Sequence, residues 1–262
     1  MEKRMSAPQR VLVTGAAGGM GRELALQFSR RGCVLSLSDI DGPGLVDTAE
    51  LCRNENIDVL EIVGDLSKEG EPERMVSSVV ERWGGIDVVV NNAACGVVED
   101  FFDGTFLNWS RTMALNVVAL ALTCCAAGKI MKNQLSGRII NVTSPGSRMA
   151  LPDYAAYSAS KAAVDSITRS ASAALAPYGV LVNSVAPGMM NTEMQRTVEL
   201  ALARVNRRPD FQEFLDERTR RIPLGRRAEV AEIASVIVWL GLDAPNYMTA
   251  ERLNISGGLD KD

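Results

Sequence analysis

The sequence predicts an α/β protein: a single doubly wound domain of the Rossmann type, in which a seven-stranded parallel sheet carries helices on both faces. Short runs rich in Val, Ile and Leu alternate with longer helical patterns along the 262 residues. Such strict alternation with short connections is typical of a doubly wound sheet. No linker, repeat or change of composition interrupts it, so we expect one domain over residues 1–262.

The predicted strands are short, and several are almost continuously apolar, such as Val88-Val89-Val90. Strands that are buried on both faces of a parallel sheet have this composition. In chain order the strands are predicted at 10–14, 33–38, 58–63, 86–90, 137–143, 180–185 and 253–256.

Helical patterns fill the intervals between the strands. Residues 115–127 are apolar nearly all round, so we expect that helix to have neighbours on every side. Residues 155–177 are rich in Ala and Ser, whose small side chains let another helix approach closely. With one face on the sheet and the other on a second subunit, this helix predicts a homo-oligomer, either a dimer or a tetramer. The helices are predicted at 19–31, 44–55, 70–83, 106–133, 155–177 and 228–241.

Composition narrows the classes of protein. The net charge of −4 argues against a nucleic-acid-binding protein, which usually has a basic face. The five cysteines are odd in number and form no C-x-x-C pair, as expected of reduced thiols in the cytoplasm. Residues 1–10 are polar, unlike a signal peptide, and the longest apolar stretch, 117–127, is too short to cross a bilayer. We therefore expect a cytoplasmic location and no membrane partner.

The chain contains no histidine. This excludes the Ser-His-Asp and Cys-His schemes of nucleophilic catalysis and removes the usual zinc ligands. We therefore predict no metal site. Any chemistry must use Tyr, Lys, Ser, Cys or a carboxylate.

A glycine-rich turn follows the first predicted strand and precedes the first helix. Gly15, Gly19 and Gly21 would let the backbone turn tightly and approach a pyrophosphate. The N-terminus of the helix adds unpaired N–H groups and a partial positive charge. Alone, the pattern also fits an ordinary turn. The strand before it, the helix after it and an acid at the end of the next strand favour a dinucleotide site.

That acid is Asp39. A carboxylate at this position can accept hydrogen bonds from the adenosine ribose hydroxyls and would repel the 2′-phosphate of NADP, so it predicts NAD as the cofactor. No Arg or Lys lies within the glycine turn to favour that phosphate instead. The alternative is that Asp39 only forms a turn before Asp41.

Tyr157 and Lys161 are four positions apart in a predicted helix, so their side chains share a face. A nearby ammonium would stabilise a phenolate and make the tyrosine hydroxyl a competent proton relay. By itself the pair also fits a surface pair on an amphipathic helix. Ser144 ends the preceding strand, and in a doubly wound sheet that strand end borders the cofactor crevice.

With these residues the chain resembles the short-chain dehydrogenase/reductase family, over essentially its whole length. The glycine turn is similar to the family's T-G-x-x-x-G-x-G, and Ser144, Tyr157 and Lys161 match its catalytic residues in order and spacing. Asn116 matches the asparagine that holds a water in the proton relay, and Ala94 replaces a usual glycine. The resemblance implies these cofactor-binding residues: Gly15, Gly19, Met20, Gly21, Asp39, Ile40, Asp65, Leu66, Asn92, Ala93, Ala94, Tyr157, Lys161, Pro187, Gly188, Met190 and Thr192.

The resemblance implies an NAD-dependent oxidoreductase that interconverts a secondary alcohol and a ketone by direct hydride transfer. Tyr157 would exchange a proton with the substrate oxygen, and Ser144 would hydrogen-bond the same oxygen. Lys161 would bind the nicotinamide ribose and lower the pKa of the phenol. Asn116 would keep a water that connects Lys161 to solvent.

The resemblance also implies which residues meet the substrate: Cys95, Pro145, Tyr154, Met189 and Met194. Methionines adapt to irregular apolar shapes and Tyr154 could stack on a ring, so we expect an apolar or cyclic alcohol or ketone. The alternative is that these methionines pack the core.

Residues 192–227 are expected to form a mobile substrate lid. This segment holds nine arginines and six acids. Such an excess could attract an anionic substrate. The alternative is that the arginines form a solvated helical face.

Two other functions stay open. A 3-oxoacyl-carrier-protein reductase would share these motifs but would normally use NADPH, and Asp39 argues against it. A non-catalytic NAD-binding regulator with the same fold is the other alternative. Retention of Ser144, Tyr157, Lys161 and Asn116 together argues against that one.

Overall fold

The computed structural model describes residues 7–260. Within these residues, seven parallel strands form one sheet in the order β3-β2-β1-β4-β5-β6-β7. The chain builds outward from β1 to β3, then returns to the other side of β1 to place β4. The predicted fold class is confirmed. The strands are β1 (Arg10–Thr14), β2 (Val34–Asp39), β3 (Val59–Val63), β4 (Val88–Asn91), β5 (Gly137–Val142), β6 (Val180–Pro187) and β7 (Arg252–Ile255).

Helices cover both faces of the sheet. On one face α1, α2 and α9 pack around Phe28 and Ile237, and on the other α3, α5 and α6 pack around Met75 and Val164. The two apolar layers explain why the central strands are apolar at successive positions. The helices are α1 (Gly19–Arg30), α2 (Gly42–Arg53), α3 (Glu71–Trp83), α4 (Phe106–Met113), α5 (Leu120–Gln134), α6 (Ala155–Leu175), α7 (Glu193–Val205), α8 (Phe211–Arg220) and α9 (Val230–Leu242).

The observed bounds differ from the predicted ones mainly where side chains cap helices. The second helix begins at Gly42 rather than at 44 because the Asp41 carboxylate accepts a hydrogen bond from the Gly44 N–H. The segment 192–227 contains α7 and α8, which the sequence analysis did not predict. Thr192 and Asp210 cap these helices by accepting from Gln195 N and Glu213 N.

The helix predicted at 106–133 is interrupted in its middle. A π-helical turn, Ala114–Ala119, lies between α4 and α5. Within the single chain that the structure describes, 115–127 does not have neighbours on every side, because Val118 is 51% exposed and Cys125 is also exposed. The helical run from Phe106 to Gln134 has 29 residues and, contrary to the sequence analysis, is long and apolar enough to cross a membrane. Its contacts with α3, α6 and β5 are those of a core helix.

Candidate active site

A cavity of about 1640 Å³ lies at the carboxyl ends of the strands. Its wall includes the glycine turn, the segments that follow β4, β5 and β6, the start of α6, and both helices of the 192–227 segment. All the predicted cofactor and substrate residues line it, as do Ser144, Tyr157 and Lys161. Asn116 is the predicted site residue that does not belong to this wall.

The glycine turn is shaped by close backbone contacts. Gly15 has a φ of +67°, and a side chain there would meet Ala93 Cα at 2.9 Å. A Cβ at Gly21 would collide with the Gly15 carbonyl oxygen. The N-cap of α1 is Gly18, so no side chain of its own caps the first-turn N–H groups. These groups face the cavity as an anion-binding surface.

Thr14 and Asn92 fasten this turn to the end of β4. The Thr14 hydroxyl accepts from the N–H groups of Asn92 and Ala93, each at 3.0 Å. The Asn92 amide donates to the carbonyls of Thr14 at 2.9 Å and Gly15 at 3.0 Å. The two segments that border the cavity beside β1 and β4 therefore form one rigid unit.

Asp39 lies at the end of β2, where the sequence analysis placed it. Its Oδ2 accepts from Ala17 N in the glycine turn at 2.9 Å, and its Oδ1 accepts from Asp41 N at 3.0 Å. One oxygen of Asp39 therefore forms the turn, as in the alternative interpretation, and each oxygen keeps a lone pair for a ligand. Arg22, directly after the turn, donates to Ala17 O and Thr48 Oγ1. Ile40 is 67% exposed and offers an apolar surface beside the carboxylate.

Asp65 lies at the same end of the cavity, next to Leu66. Its Oδ1 accepts from the hydroxyl of Ser67 at 2.6 Å and from the backbone N–H of that residue at 3.0 Å. The Ser67 hydroxyl is the main reason that the pKa of Asp65 lies below its ordinary value. Asp65 is therefore ionised, with Oδ2 directed toward Lys68 at 3.8 Å.

Ser144, Tyr157 and Lys161 meet where β5 ends and α6 begins. The Ser144 hydroxyl accepts from Gly146 N at 3.1 Å, and it acts to lower the pKa of the Tyr157 phenol. Lys161 Nζ lies 5.6 Å from the centroid of the Tyr157 ring and donates to the Val142 carbonyl at 2.8 Å. The helical spacing and the strand end thus bring the three side chains together as predicted.

The electrostatics of this group differ from the prediction. Burial raises the pKa of Tyr157 above its ordinary value, and the Ser144 hydroxyl only partly opposes this. Burial also lowers the pKa of Lys161 to about 8, while Asp165 acts in the opposite direction. The lysine alone therefore does not bring the pKa of the phenol below its ordinary value, and at neutral pH the phenol carries its proton.

Asn116 lies in the π-helical turn, and both N–H groups of its side-chain amide donate to neighbouring residues. Its Nδ2 donates to Cys95 O at 2.8 Å and to Ser160 Oγ at 3.0 Å, while its Oδ1 accepts from Cys95 N at 2.8 Å. The side chain therefore clamps the segment after β4 to α6. A water could reach only the second lone pair of Oδ1 or the backbone.

Tyr154 stacks on Tyr157, with ring centroids 4.3 Å apart and an interplanar angle of 17°. The sequence analysis expected its ring to be available for a substrate, but one face is already covered by the catalytic candidate. The hydroxyl end of Tyr154 lies against Gly96, where any side chain would collide with it. Gly96 thus also belongs to the wall of the site, beside Cys95.

The methionines of the segment after β6 belong to the cavity wall, not only to the core. Met189, Met190 and Met194 line it, and the Met194 side chain is exposed. A side chain at Gly188 would meet Ser256 Cα at 2.7 Å, so the close approach of β6 and the segment after β7 requires glycine there. Cys95 and Pro145 line the same cavity.

Two buried polar networks support the site and were not predicted. In the first, Asn91 donates to Asn141 at 2.9 Å, and Asn141 donates to Thr168 at 2.9 Å, joining β4, β5 and α6. In the second, Arg252 of β7 donates to the Ser144 carbonyl at 3.0 Å and to Asp260 at 2.7 Å. Their members are distant in sequence, so no local pattern could have revealed them.

Comparison with known proteins places the chain in a family. A family model described as enoyl-(acyl carrier protein) reductase matches residues 15–260. An uncharacterized oxidoreductase of Thermotoga maritima is 34% identical over 95% of this chain and 96% of its own length. A diacetyl reductase [(S)-acetoin forming] of Staphylococcus epidermidis is 28% identical over 95% of this chain and 97% of its own length. The chain belongs to the short-chain dehydrogenase/reductase family.

Solved structures agree with this. An NAD+-bound xylitol dehydrogenase matches with a TM-score of 0.93 and 29% identity, covering 98% of this chain and 100% of its own. An actinorhodin polyketide ketoreductase with NADPH matches with a TM-score of 0.92 and 29% identity, covering 97% of this chain and 98% of its own. The protein is therefore an oxidoreductase with a nucleotide cofactor of the kind that this family uses.

Proposed function

We propose that the protein is an NAD-dependent oxidoreductase that interconverts a secondary alcohol and a ketone. The observation that carries the proposal is that Ser144, Tyr157 and Lys161 line the same cavity as the glycine turn and Asp39. A cofactor lying along this cavity would reach from the acid at β2 to the phenol at α6. The unpaired, free cysteines support a cytoplasmic location as part of the proposal.

NAD fits the residues of the wall. The N-terminus of α1 would hold the pyrophosphate, and Asp39 would accept hydrogen bonds from the adenosine ribose. Ile40 and Leu66 would cover the adenine, and Met190 and Thr192 would meet the nicotinamide end. When bound, the nicotinamide supplies the hydride acceptor or donor.

The side chains of the site divide the remaining work. Tyr157, protonated at neutral pH, donates its proton to the carbonyl oxygen in reduction, which leaves the phenolate; in oxidation the phenolate form accepts the proton of the alcohol hydroxyl. The Ser144 hydroxyl hydrogen-bonds the same oxygen and orients it. Lys161, held by the Val142 carbonyl at 2.8 Å, has two further N–H groups to offer a ribose hydroxyl. Tyr154 keeps water from one face of the phenol ring.

The test is a fluorescence titration with NADH and with NADPH, on wild type and on Asp39→Ala. We expect wild type to bind NADH at least about tenfold more tightly, because a charge repulsion of ~1.4 kcal/mol is a tenfold factor. Asp39→Ala should lose this preference. Asp243→Ala is the matched control, since its carboxylate pairs with Arg31 on the outer surface.

Either outcome assigns the cofactor. A preference for NADH that disappears in Asp39→Ala supports the proposal. A preference for NADPH in wild type contradicts it and makes a biosynthetic ketone reductase, such as a 3-oxoacyl-carrier-protein reductase, the better candidate.

A further inference from the structure

The structure sorts the arginines of the 192–227 segment by position. Among the described residues, Arg208, Arg218 and Arg221 line the cavity, whereas Arg226 does not and is paired with Glu232 at the surface. Arg208 is neutralised by Glu217 at 2.7 Å. The segment is therefore not uniformly a solvated basic face, and one part of it borders the cavity that holds Tyr157.

Arg218 belongs to a cluster with too few negative charges. Glu199 of α7 is 1% exposed, and both of its oxygens accept from Arg227 at 2.8 Å. Oε1 of the same carboxylate also meets Arg218 Nε at 3.3 Å. Two guanidinium groups thus share one buried carboxylate, which leaves a net charge of +1 on these three side chains, of which Arg218 lines the cavity. An incompletely compensated charge in such surroundings is unfavourable unless a further partner is present.

The excess charge is directed toward the cavity through Arg218. Its side chain is 25% exposed, whereas that of Arg227 is 13% exposed and is held by Glu199 with two hydrogen bonds. The Arg218 guanidinium lies over the Phe214 ring at 5.6 Å, and Nη2 is 3.7 Å from the Met189 sulfur. Neither the Phe214 ring nor the Met189 sulfur is a strong hydrogen-bond acceptor for the N–H groups of Arg218. Burial lowers the pKa of Arg218, Glu199 opposes this, and Arg227 and Arg221 add to the lowering.

Glu217, next to Arg218 on α8, is paired with Arg208 at 2.7 Å, and two other carboxylates of the wall lie on other elements. Asp153, beside Tyr154, accepts from Asn206 Nδ2 at 2.9 Å, and Glu193 is in the first turn of α7. Both line the cavity and would repel an anion. On this side of the cavity, an anionic group would therefore be stabilised beside Arg218 and Arg221 and not beside Asp153 or Glu193. Phe214 and Met189 supply apolar surface next to that position.

We infer that the substrate is a ketone or secondary alcohol that carries a carboxylate, and that Arg218 binds this carboxylate. The inference rests on the proposed function, because it takes Tyr157 to be the group that meets the substrate oxygen. A guanidinium with free N–H groups matches the geometry of a carboxylate. The carboxylate would supply the negative charge that Glu199 cannot provide to both arginines.

The experiment compares ketones that differ only in charge. Steady-state kinetics with cyclohexanone, 3-oxocyclohexanecarboxylate and 4-oxocyclohexanecarboxylate would be measured with the preferred nicotinamide cofactor. We expect wild type to favour at least one of the carboxylates by about tenfold to hundredfold in kcat/KM, as for a hydrogen bond to a charged group. In Arg218→Gln the ratio of anionic to neutral kcat/KM should fall close to one, mainly through KM. Arg218→Lys, which keeps the charge, should restore part of the ratio.

The kinetic experiment has a control variant and two results that would contradict the inference. Arg226→Gln removes an arginine of the same segment that faces solvent, and it should leave the ratio unchanged. Equal kcat/KM for neutral and anionic ketones in wild type, or an unchanged ratio in Arg218→Gln, would overturn the inference while leaving the proposed function intact.

A binding measurement covers the case in which no ketone is turned over, which would count against the proposed function itself. Calorimetry would then compare cyclohexanecarboxylate binding to wild type and to Arg218→Gln, with the cofactor present. Binding that is lost in the variant supports the carboxylate site. No binding to wild type, or equal binding to both, overturns it.

Discussion

At the scale of single residues, Lys161 of the candidate active site lies where its charge lowers the stability of the fold. Its ammonium is buried, and its hydrogen bond goes to the uncharged carbonyl of Val142. Burial removes hydration that this one bond replaces only in part, which is why the pKa of Lys161 falls to about 8. Asp165, one helical turn further along α6, gives partial compensation.

The first residue-scale prediction concerns stability and pH. The unfolded chain keeps the lysine proton up to its ordinary pKa of 10.5, whereas the folded chain loses it near pH 8. The unfolded state therefore binds more protons between these values, so the lysine destabilises the fold fully below pH 8 and progressively less up to pH 10.5. We expect Lys161→Met to raise the free energy of unfolding at pH 7 by about 1–3 kcal/mol.

Urea unfolding at pH 7 and at pH 10 would measure this. The advantage of Lys161→Met over wild type should shrink at the higher pH, because both proteins are then neutral at that position. A variant that is equally stable or less stable at pH 7 would show that the buried ammonium is better compensated than the geometry indicates.

The second residue-scale prediction concerns Tyr157. Tyr157→Phe removes the hydroxyl but keeps the ring that stacks on Tyr154, so we expect NADH binding to be retained. Turnover should fall by about a hundredfold to ten-thousandfold, the usual contribution of a general acid or base. Tyr178→Phe is the matched control. Lys132 Nζ lies 4.4 Å from the centroid of the Tyr178 ring, but Tyr178 does not line the cavity. Near-normal turnover in Tyr157→Phe would remove Tyr157 from the mechanism.

At the scale of elements, β7 is tied to the catalytic segment by one buried arginine. The Arg252 side chain is 8% exposed and contacts Asp165 of α6, Asp260 after the strand and the Ser144 carbonyl. It also donates to the Ser147 hydroxyl at 3.3 Å. The backbone of Ser144 is therefore held in position by a hydrogen bond from Arg252 in the last strand of the sheet.

We predict that Arg252→Met lowers the free energy of unfolding by about 3–5 kcal/mol, because it leaves two carboxylates buried without their partner. It should also lower kcat, since the Ser144 carbonyl loses its donor. Arg10→Met is the matched control. Arg10 is also the first residue of a strand and donates two hydrogen bonds to the Asp87 carboxylate, but it does not line the cavity. Chemical unfolding and kcat would be measured for both. An equal effect on kcat in the two variants would mean that Arg252 does not position Ser144.

The same elements show what the sequence could predict. The strands and the residues of the glycine turn follow from local patterns, and so does the pairing of Tyr157 with Lys161, because helix and strand periods fix which side chains share a face. The burial that raises the pKa of Tyr157 in the structure could not be predicted, since it depends on packing by Tyr154 and on elements distant in sequence. Helices α7 and α8 were not predicted, because the segment was interpreted as a mobile lid with a solvated helical face as the alternative, although Thr192 and Asp210 are typical N-cap residues.

At the scale of the whole molecule, α4 and its flanking segments carry several exposed large apolar side chains. Around α4 and the π-helical turn, Phe102 and Phe106 are almost fully exposed, and Leu107 and Val118 are more than half exposed. Exposed apolar side chains that gather into one surface patch usually mark a protein interface. The small residues of α6 that the sequence analysis assigned to a second subunit, such as Ala162 and Ser166, are exposed as well.

We therefore predict that the protein is a homo-oligomer, a dimer or a tetramer, with Val118 in the interface. Light scattering of wild type should give a multiple of the monomer mass, and Val118→Glu should reduce it because a charge would be buried without a partner. Leu51→Glu, a similar change on an exposed side chain of α2, should leave the mass unchanged. A monomeric wild type would contradict the prediction.

The π-helical turn between α4 and α5 means that the long helix holds one more residue than a regular helix of the same length needs. Its two halves are therefore rotated relative to each other by about 100°, the turn that a single residue makes in an α-helix. Deletion of one residue between Ala114 and Ala119 would restore the regular register, and the Asn116 amide would rotate away from Cys95 and Ser160. The clamp on the segment after β4 depends on an inserted residue, not only on the presence of an asparagine.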